Sequence, residues 1–499
     1  MSRSSRQISL PFIRIDRKGV RPVYEQLYDG MREAILNGRL QPNDRLPATR
    51  LIAEELGVSR NIVVMAFGQL LMEGYIRSKA GAGSFVEAMD TTPPAPRAGR
   101  RPLQGRPFEG EFVRRLGEVV LQRNIEKEET VPFQTSQPAF DAFPFAVWSR
   151  LAARVYRYLD FQHLGYEDAA GHLPLREAIA DHLRVNRGVQ CEASRILIVN
   201  GTQQALFLAA QLLLQPGHRF WIDDPGYVNA RSAFLLHGGV ACPIPVTGEG
   251  TDIDYAIQHY PDARLAYLTP SHQYPLGGTM PLAQRLKLLA WAREHRLWII
   301  EDDYDSELRY HGKPIPSLQG LDTHGNVIYI GTFSKVLFPA LRVAYMVLPD
   351  DASFQSFRSL KALNDRQSPL VDQMILTDFI KEGYFHRHLR RMRSVYSVRL
   401  QCLLEELETH LSEYLSFTDP AAGMHLAAFF KKPVDEDRLL QAAARKGLVL
   451  LSLREYTIGT CHRPGILLGY SSFPEDKIRQ AVRTLKAIFS SHSPLPKIS

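Results

Sequence analysis

The chain has 499 residues and carries 60 Lys and Arg against 53 Asp and Glu, a formal net charge of +7. That length exceeds one ordinary hydrophobic core, so two or more domains are expected. Its four cysteines (Cys191, Cys242, Cys402, Cys461) form no C-x-x-C pair, which argues against structural zinc and a disulfide framework and for a reducing, cytoplasmic setting. No apolar run approaches the roughly 18 to 20 residues of a membrane span, and the start MSRSSRQISLPF lacks a signal-peptide hydrophobic region.

The charge is unevenly placed. Residues 1–127 hold 21 Lys and Arg against 14 Asp and Glu, so the whole excess lies there and the remaining residues balance at 39 and 39. A basic segment ahead of a neutral, enzyme-sized body points to a polyanion partner for the front part, most simply nucleic acid. A solvated basic surface satisfies the same composition.

Within that front segment Val23, Leu27, Met31 and Ile35 recur every four residues, giving one apolar helical face that Asn37-Gly38 ends. LQPNDRLP is a turn. Thr49 is expected to cap a short helix through Leu56, Gly57 breaks it, and Ser59 caps a further helix with Val63, Phe67 and Leu70 inward. Two short helices meeting at a tight turn form the helix-turn-helix pattern, whose second helix enters the DNA major groove N-terminus first. Ser59, Arg60 and Asn61 stand there, suited to phosphates and base edges. Residues 75–77 and 84–86 flank KAGAG and read as a two-stranded wing.

The run from PVYEQLYDGM to GAGSFV resembles the winged helix-turn-helix domain of GntR-type repressors almost end to end. The resemblance rests on GRL-x-P-x-D-R-LP-x-TR, the LGVSRN turn and the L-x-x-EGY-x-x-x-x-GxGxFV wing. It implies contacts to double-stranded DNA from Arg50, from Ser59, Arg60 and Asn61, and from Gly81 at the wing tip. The domain is assigned to residues 1–88. Residues 89–130 are read as a linker, because TTPPAPRAGRRPLQGRP is rich in Pro, Gly and Arg without hydrophobic period; residues 111–123 are expected to form a short helix.

From about Val131 strands and helices alternate, the α/β signature, and residues 131–499 are assigned to the second domain. RILIVN reads as a buried strand that feeds the apolar helix ALFLAAQLLL through Gly201, Thr202 and Gln203, where free backbone N–H groups suit a phosphate. FWIDDPGY carries Tyr227 past a strand end, where its ring can stack on a flat cofactor or simply pack. RLAYLTPSHQYPLGG and LWIIEDDYDSELRY are two more strands with polar C-terminal ends, the side on which ligands bind in such sheets. Asp302, Asp303 and Asp305 cluster there without matching His or Glu ligand spacing, so no metal is expected; one buried aspartate paired with a protonated ring nitrogen is the alternative. IYIGTFSKVLFPALRVAY then places Lys335 just past a strand end among Phe333, Val336, Leu337 and Phe338. Partial desolvation favours its neutral amine, which can attack an aldehyde, and Ser334 and Arg342 can hold a nearby phosphate.

With Gly201-Thr202-Gln203, Tyr227, Asp302, Tyr304, Lys335 and Arg342 in that order, residues 131–490 resemble a fold-type I aminotransferase that binds pyridoxal 5′-phosphate (PLP). The resemblance implies that Lys335 forms the internal aldimine, Asp302 pairs with the pyridinium nitrogen, Tyr304 approaches the phenolic oxygen and Tyr227 stacks on the ring. Gly201, Thr202, Gln203, Ser334 and Arg342 would bind the phosphate, and Tyr166 matches the tyrosine lent to the partner subunit's phosphate. A GntR-type winged helix fused to such a body is similar to the MocR/GabR family of bacterial regulators. Membership implies a PLP-dependent transcription factor, a head-to-tail, domain-swapped homodimer in which ligand chemistry at PLP changes DNA binding.

Two departures bear on the ligand. Tyr274 stands where ordinary aminotransferases have the asparagine of an NPTG motif. Asn229 stands where the GABA-responsive member has an arginine, and asparagine cannot pair bidentately with a carboxylate, which disfavours GABA. A late carboxylate arginine is expected at Arg454, or else at Arg463. The reading is a regulator that senses a small amino-group effector; a working aminotransferase with a DNA-binding appendage and a regulator that senses PLP itself are the alternatives.

Overall fold

The computed structural model describes residues 13, 15–17, 19–88, 109–119, 131–248, 250–311 and 316–491. It divides into two compact units, residues 1–107 and 108–499. Most of the linker assigned to 89–130 lies outside the described residues.

In the first unit, α1 (Val23–Leu36), α2 (Thr49–Leu56) and α3 (Arg60–Met72) are followed by β1 (Ile76–Lys79) and β2 (Gly83–Val86), an antiparallel pair in the register Ile76 to Val86. Leu27, Met31, Ile52, Val63, Ala66 and Leu70 close one apolar core. Gly57 ends α2 in the left-handed conformation (φ +61°), where a side chain would be strained. Ser59 caps α3 as expected, its hydroxyl accepting from Ile62 N at 3.4 Å. The expectation for Thr49 is corrected: Ala48 occupies the cap position and no side chain caps α2, because Thr49 already has helical geometry. The wing strands reach further into the turn than residues 75–77 and 84–86, since Ser78 and Lys79 continue the ladder to Gly83.

The second unit begins with α4 (Glu111–Glu118), the short helix expected in the linker; its stretch beyond residue 119 is outside the described residues. Phe112 packs edge-on against His237, so this helix belongs with the second body. Next come α5 (Phe145–Tyr158), α6 (Leu173–Arg187), β3 (Ile196–Val199), α7 (Thr202–Leu213), β4 (Arg219–Asp224), α8 (Val228–Leu236), β5 (Val240–Thr247), β6 (Gly250–Thr251), α9 (Ile253–His259), β7 (Leu265–Leu268), α10 (Leu282–His295), β8 (Trp298–Asp303), α11 (Leu318–Leu321), β9 (Val327–Thr332) and β10 (Ala344–Val347). The eight strands form one sheet in the order β3-β10-β9-β8-β7-β4-β5-β6. Strands β9, β8, β7, β4 and β5 run parallel, while β10 is antiparallel to both neighbours. Alternation along β10 sends Tyr345 and Val347 to one apolar layer and Ala344 and Met346 to the other, so the sheet is buried on both faces.

Helices α12 (Asp351–Asn364), α13 (Leu370–Lys381) and the long α14 (Tyr384–Leu411) lead to a smaller antiparallel sheet of β11 (Leu415–Phe417), β12 (His425–Phe430), β13 (Leu451–Ser452) and β14 (Gly465–Gly469), in the order β11-β12-β14-β13. Helices α15 (Glu436–Arg445) and α16 (Glu475–Ser491) cover it. Among the described residues no helix is long and apolar enough to cross a membrane.

Candidate functional site

The C-terminal ends of β7, β8 and β9, the start of α7 and the segment 134–137 enclose a cavity of about 600 Å³. Parallel strands leave their C-terminal ends and the following helix N-termini on one side, which gathers polar residues from distant parts of the chain. Gly201, Thr202, Gln203, Tyr227, Asn229, Tyr274, Asp302, Tyr304, Ser334, Lys335 and Arg342 all line it.

Lys335 follows β9 and is half-buried. Burial holds its amine down at about 8, against the opposing pull of Asp305 and Asp302. Its neutral form, which a nucleophilic amine requires, is therefore far more populated near physiological pH than in an ordinary lysine, though the ammonium still predominates below pH 8. Its Nζ donates to the Ser136 carbonyl at 3.5 Å. Asp302, near the end of β8, is pushed up to about 7 by burial. The Tyr267 hydroxyl donates to its Oδ2 at 2.7 Å, while Oδ1 is buried without a partner. A buried carboxylate oxygen left without a partner, on a residue that lines a cavity, is costly unless a donor or cation reaches it. A protonated ring nitrogen would satisfy it.

At the other end of the cavity Gly201 adopts φ +97°, and a Cβ there would come within 2.9 Å of the Arg342 guanidinium. Arg342, itself left-handed at φ +53°, donates through Nη2 to the Asn200 carbonyl at 2.5 Å. Gly201, Thr202, Gln203, Ser334 and this arginine thus surround the positive end of α7, a cradle chemically suited to a phosphate. Tyr227 stacks beside Tyr267, with ring centroids 6.3 Å apart, and its hydroxyl accepts from Asn229 Nδ2 at 3.4 Å.

The remaining expectations fall elsewhere. Tyr166 is 83% exposed and lies under the Arg366 guanidinium, outside the cavity of its own chain. The structure does not bring either late arginine into the cavity. Arg454 is exposed and paired with Asp437 at 2.7 Å, and Arg463 is exposed over the Phe429 ring at 4.0 Å. The inward position of that segment is taken by Tyr456, whose hydroxyl meets that of Tyr274 at 3.2 Å. The three clustered aspartates have separate partners: Asp303 binds Arg187 at 2.6 Å and Tyr329 at 2.7 Å, and Asp305 binds His272 at 2.9 Å. Tyr267, Ser136 and Tyr456 were not singled out from the sequence. For Tyr267 a signal existed, since it sits in the strand before the aspartate strand.

In the first unit Arg50, Ser59, Arg60 and Asn61 are all exposed, the last three at the N-terminal end of α3. Gly81 sits at the tip of the wing with φ +73°.

A winged helix-turn-helix joined to a fold-type I aminotransferase body defines a class of protein, the HTH-type transcriptional regulators with an aminotransferase-like domain. Residues 23–86 match the model for bacterial regulatory proteins of the gntR family, and residues 130–485 that for aminotransferase class I and II. The chain belongs to the MocR family of these regulators. It is 37% identical to the probable rhizopine catabolism regulatory protein of Rhizobium meliloti, over 95% of each chain. It is 30% identical to a pyridoxine biosynthesis transcriptional regulator of Corynebacterium glutamicum, over 91% of this chain and 93% of that one. Among solved structures, the kynurenine aminotransferase of Pyrococcus horikoshii in complex with PMP superposes with a TM-score of 0.69 at 26% identity, covering 78% of this chain and 96% of that one.

Proposed function

We propose that this regulator holds PLP in the 600 Å³ cavity and that a small primary amine reaching the same place alters operator binding by the winged helix. The observation that carries the reading is that one cavity is lined by an amine made less basic by burial, Lys335, and by a buried aspartate, Asp302, with one carboxylate oxygen left unpartnered. PLP supplies an aldehyde that condenses with a primary amine, and a ring that takes up electrons. Lys335 offers the amine, Asp302 a negative charge for the ring nitrogen, Tyr227 an aromatic face and Tyr304 a phenol. Thr202, Gln203, Ser334 and Arg342 supply donors for the phosphate.

The proposal includes a domain-swapped homodimer. Phe145, Phe161, Leu164 and Tyr166 expose between 61% and 83% of their surface within one short segment, an apolar face that a second copy would bury. Two winged helices reading repeated half-sites would gain from that linkage.

The experiment is an absorbance spectrum of the purified, PLP-loaded protein before and after adding a panel of amines, amino acids and amino sulfonates, with operator affinity measured in parallel. The expected outcome is a visible band that shifts with one compound, accompanied by a change in operator affinity. A protein that takes up no PLP overturns the reading. Two outcomes favour the alternatives. Turnover with 2-oxoglutarate at tens per second, an ordinary enzyme rate, marks a working aminotransferase. A change of operator affinity with PLP alone marks the cofactor as the signal.

A further inference from the structure

Behind Tyr304 lies a buried pair that the proposed reaction does not use. His272 and Asp305 are 2% and 1% exposed. His272 Nδ1 lies 2.9 and 3.1 Å from the two carboxylate oxygens of Asp305 and 2.9 Å from the Tyr304 hydroxyl. Three oxygens, from two side chains, therefore share one ring nitrogen. The other nitrogen, Nε2, is buried and has no hydrogen-bond partner. The ring is held closely in place: a Cβ on Gly423, at φ +101°, would stand 2.2 Å from His272 Cε1, and one on Gly277 would stand 3.3 Å from Nε2. The titratable ring packed beside it, His425, donates to the Pro275 carbonyl at 3.0 Å and is held down at about 3 by burial, so it brings no positive charge.

Hydrogen-bond accounting selects one arrangement. A proton on Nε2 would be a buried donor with nothing to receive it, which costs about 1 to 3 kcal/mol. A proton on Nδ1 meets the Asp305 carboxylate and the Tyr304 oxygen together. In that tautomer Tyr304 accepts from the imidazole, and its own O–H is released toward the cavity that Tyr304 lines. In the opposite tautomer Nδ1 is an acceptor and would consume that O–H.

We infer that Asp305 fixes His272 in the Nδ1–H tautomer and thereby orients the Tyr304 hydroxyl as a donor into the cavity, making His272 and Asp305 positioning residues for any anionic oxygen bound there. This rests on the reading that PLP occupies the cavity, where its phenolic oxygen is the acceptor. A hydrogen bond donated to that oxygen weakens its hold on the neighbouring proton, so losing the bond raises the pH midpoint of the visible band.

Asp305→Asn keeps the shape but removes the carboxylate charge and presents an amide N–H that can donate to Nδ1, which favours the other tautomer. Ring ¹⁵N spectra of histidine-labelled, cofactor-free protein are expected to show His272 protonated on Nδ1 in the native chain and on Nε2 in Asp305→Asn. In the PLP-loaded protein, Asp305→Asn and Tyr304→Phe are each expected to raise the band midpoint by about one pH unit, the value of one charge-assisted hydrogen bond. The double variant should match Tyr304→Phe alone. His272→Asn, whose amide N–H falls near the Nδ1 position, should preserve the midpoint, while His272→Gln should not. A native His272 protonated on Nε2, or additive shifts in the double variant, overturns the proposal. Failure of the native protein to take up PLP would overturn the functional reading instead, and the ¹⁵N spectra alone would then decide the tautomer.

Discussion

The two units display their chemistry in opposite ways. In the winged helix the side chains proposed to contact DNA, Arg50, Ser59, Arg60 and Asn61, stand in solvent on a small apolar core. In the aminotransferase-like unit the groups proposed to bind the cofactor are withdrawn: Asp302 is 4% exposed and Lys335 half-buried. The difference is the one that the proposed partners require. A polyanion is bound by fully charged, solvated cations that displace counterions. Amine chemistry needs an uncharged nucleophile, and here desolvation raises its share near neutral pH. Substitutions at exposed positions should therefore change binding and leave stability alone, whereas substitutions in the cavity should change both.

Lys335 tests the second half of that contrast and carries the largest expected effect. Lys335→Ala should abolish the visible band of bound PLP while the fold persists; a retained band would remove Lys335 from its assigned place. Lys335→Met tests the cost of burial. The folded-state value of about 8 lies below the ordinary 10.5. Between those two pH values the unfolded chain binds a proton that the folded chain does not, so stability should rise with pH across that window and be lowest below 8. The full cost is about 3 kcal/mol at neutral pH. Lys335→Met should recover up to that amount and flatten the pH dependence, as read by urea denaturation of cofactor-free protein at pH 7 and pH 10. A native protein whose stability falls across the same window would contradict the burial argument.

Arg60→Ala tests the first half. It should weaken operator binding by about 1 to 3 kcal/mol if the guanidinium reaches a base edge, with PLP uptake and thermal stability unchanged. Unchanged affinity in a gel-shift titration would count against the place given to α3.

What the sequence made legible follows the same division. Periodicity and caps located the winged helix because its signals are local: Gly57 and Ser59 act within one turn of where they stand. The strand leading to Lys335 was equally legible, since the apolar run of β9 ends where the hydroxyl residues begin. Arg454 lies outside the cavity for a physical reason. A single turn, 453–456, sends Tyr456 inward and Arg454 outward to Asp437, and a two-residue difference in facing leaves no trace in composition. The pairing of His272 with Asp305 was invisible because it joins residues 33 apart, brought side by side only by the parallel register of β7 and β8, in which Leu268 faces Glu301.

The smallest effect is expected at Ser59, which stands on both sides of the contrast. Its hydroxyl caps α3 through a long bond to Ile62 N, 3.4 Å, and it is also assigned a DNA contact. Ser59→Ala should lower the stability of the winged helix by about 0.5 to 1 kcal/mol, the low end for a lost cap, and weaken operator binding as well. That variant cannot separate the two roles. Ser59→Asp can, because aspartate caps as well as serine and favours the positive end of a helix, yet places a negative charge against the DNA backbone. The expected result is a melting temperature at or above the native value together with weaker operator binding, the deficit relative to the native chain growing as salt is lowered. If Ser59→Asp restored both stability and affinity, Ser59 would be a cap alone, and recognition at this end of α3 would rest on Arg60 and Asn61.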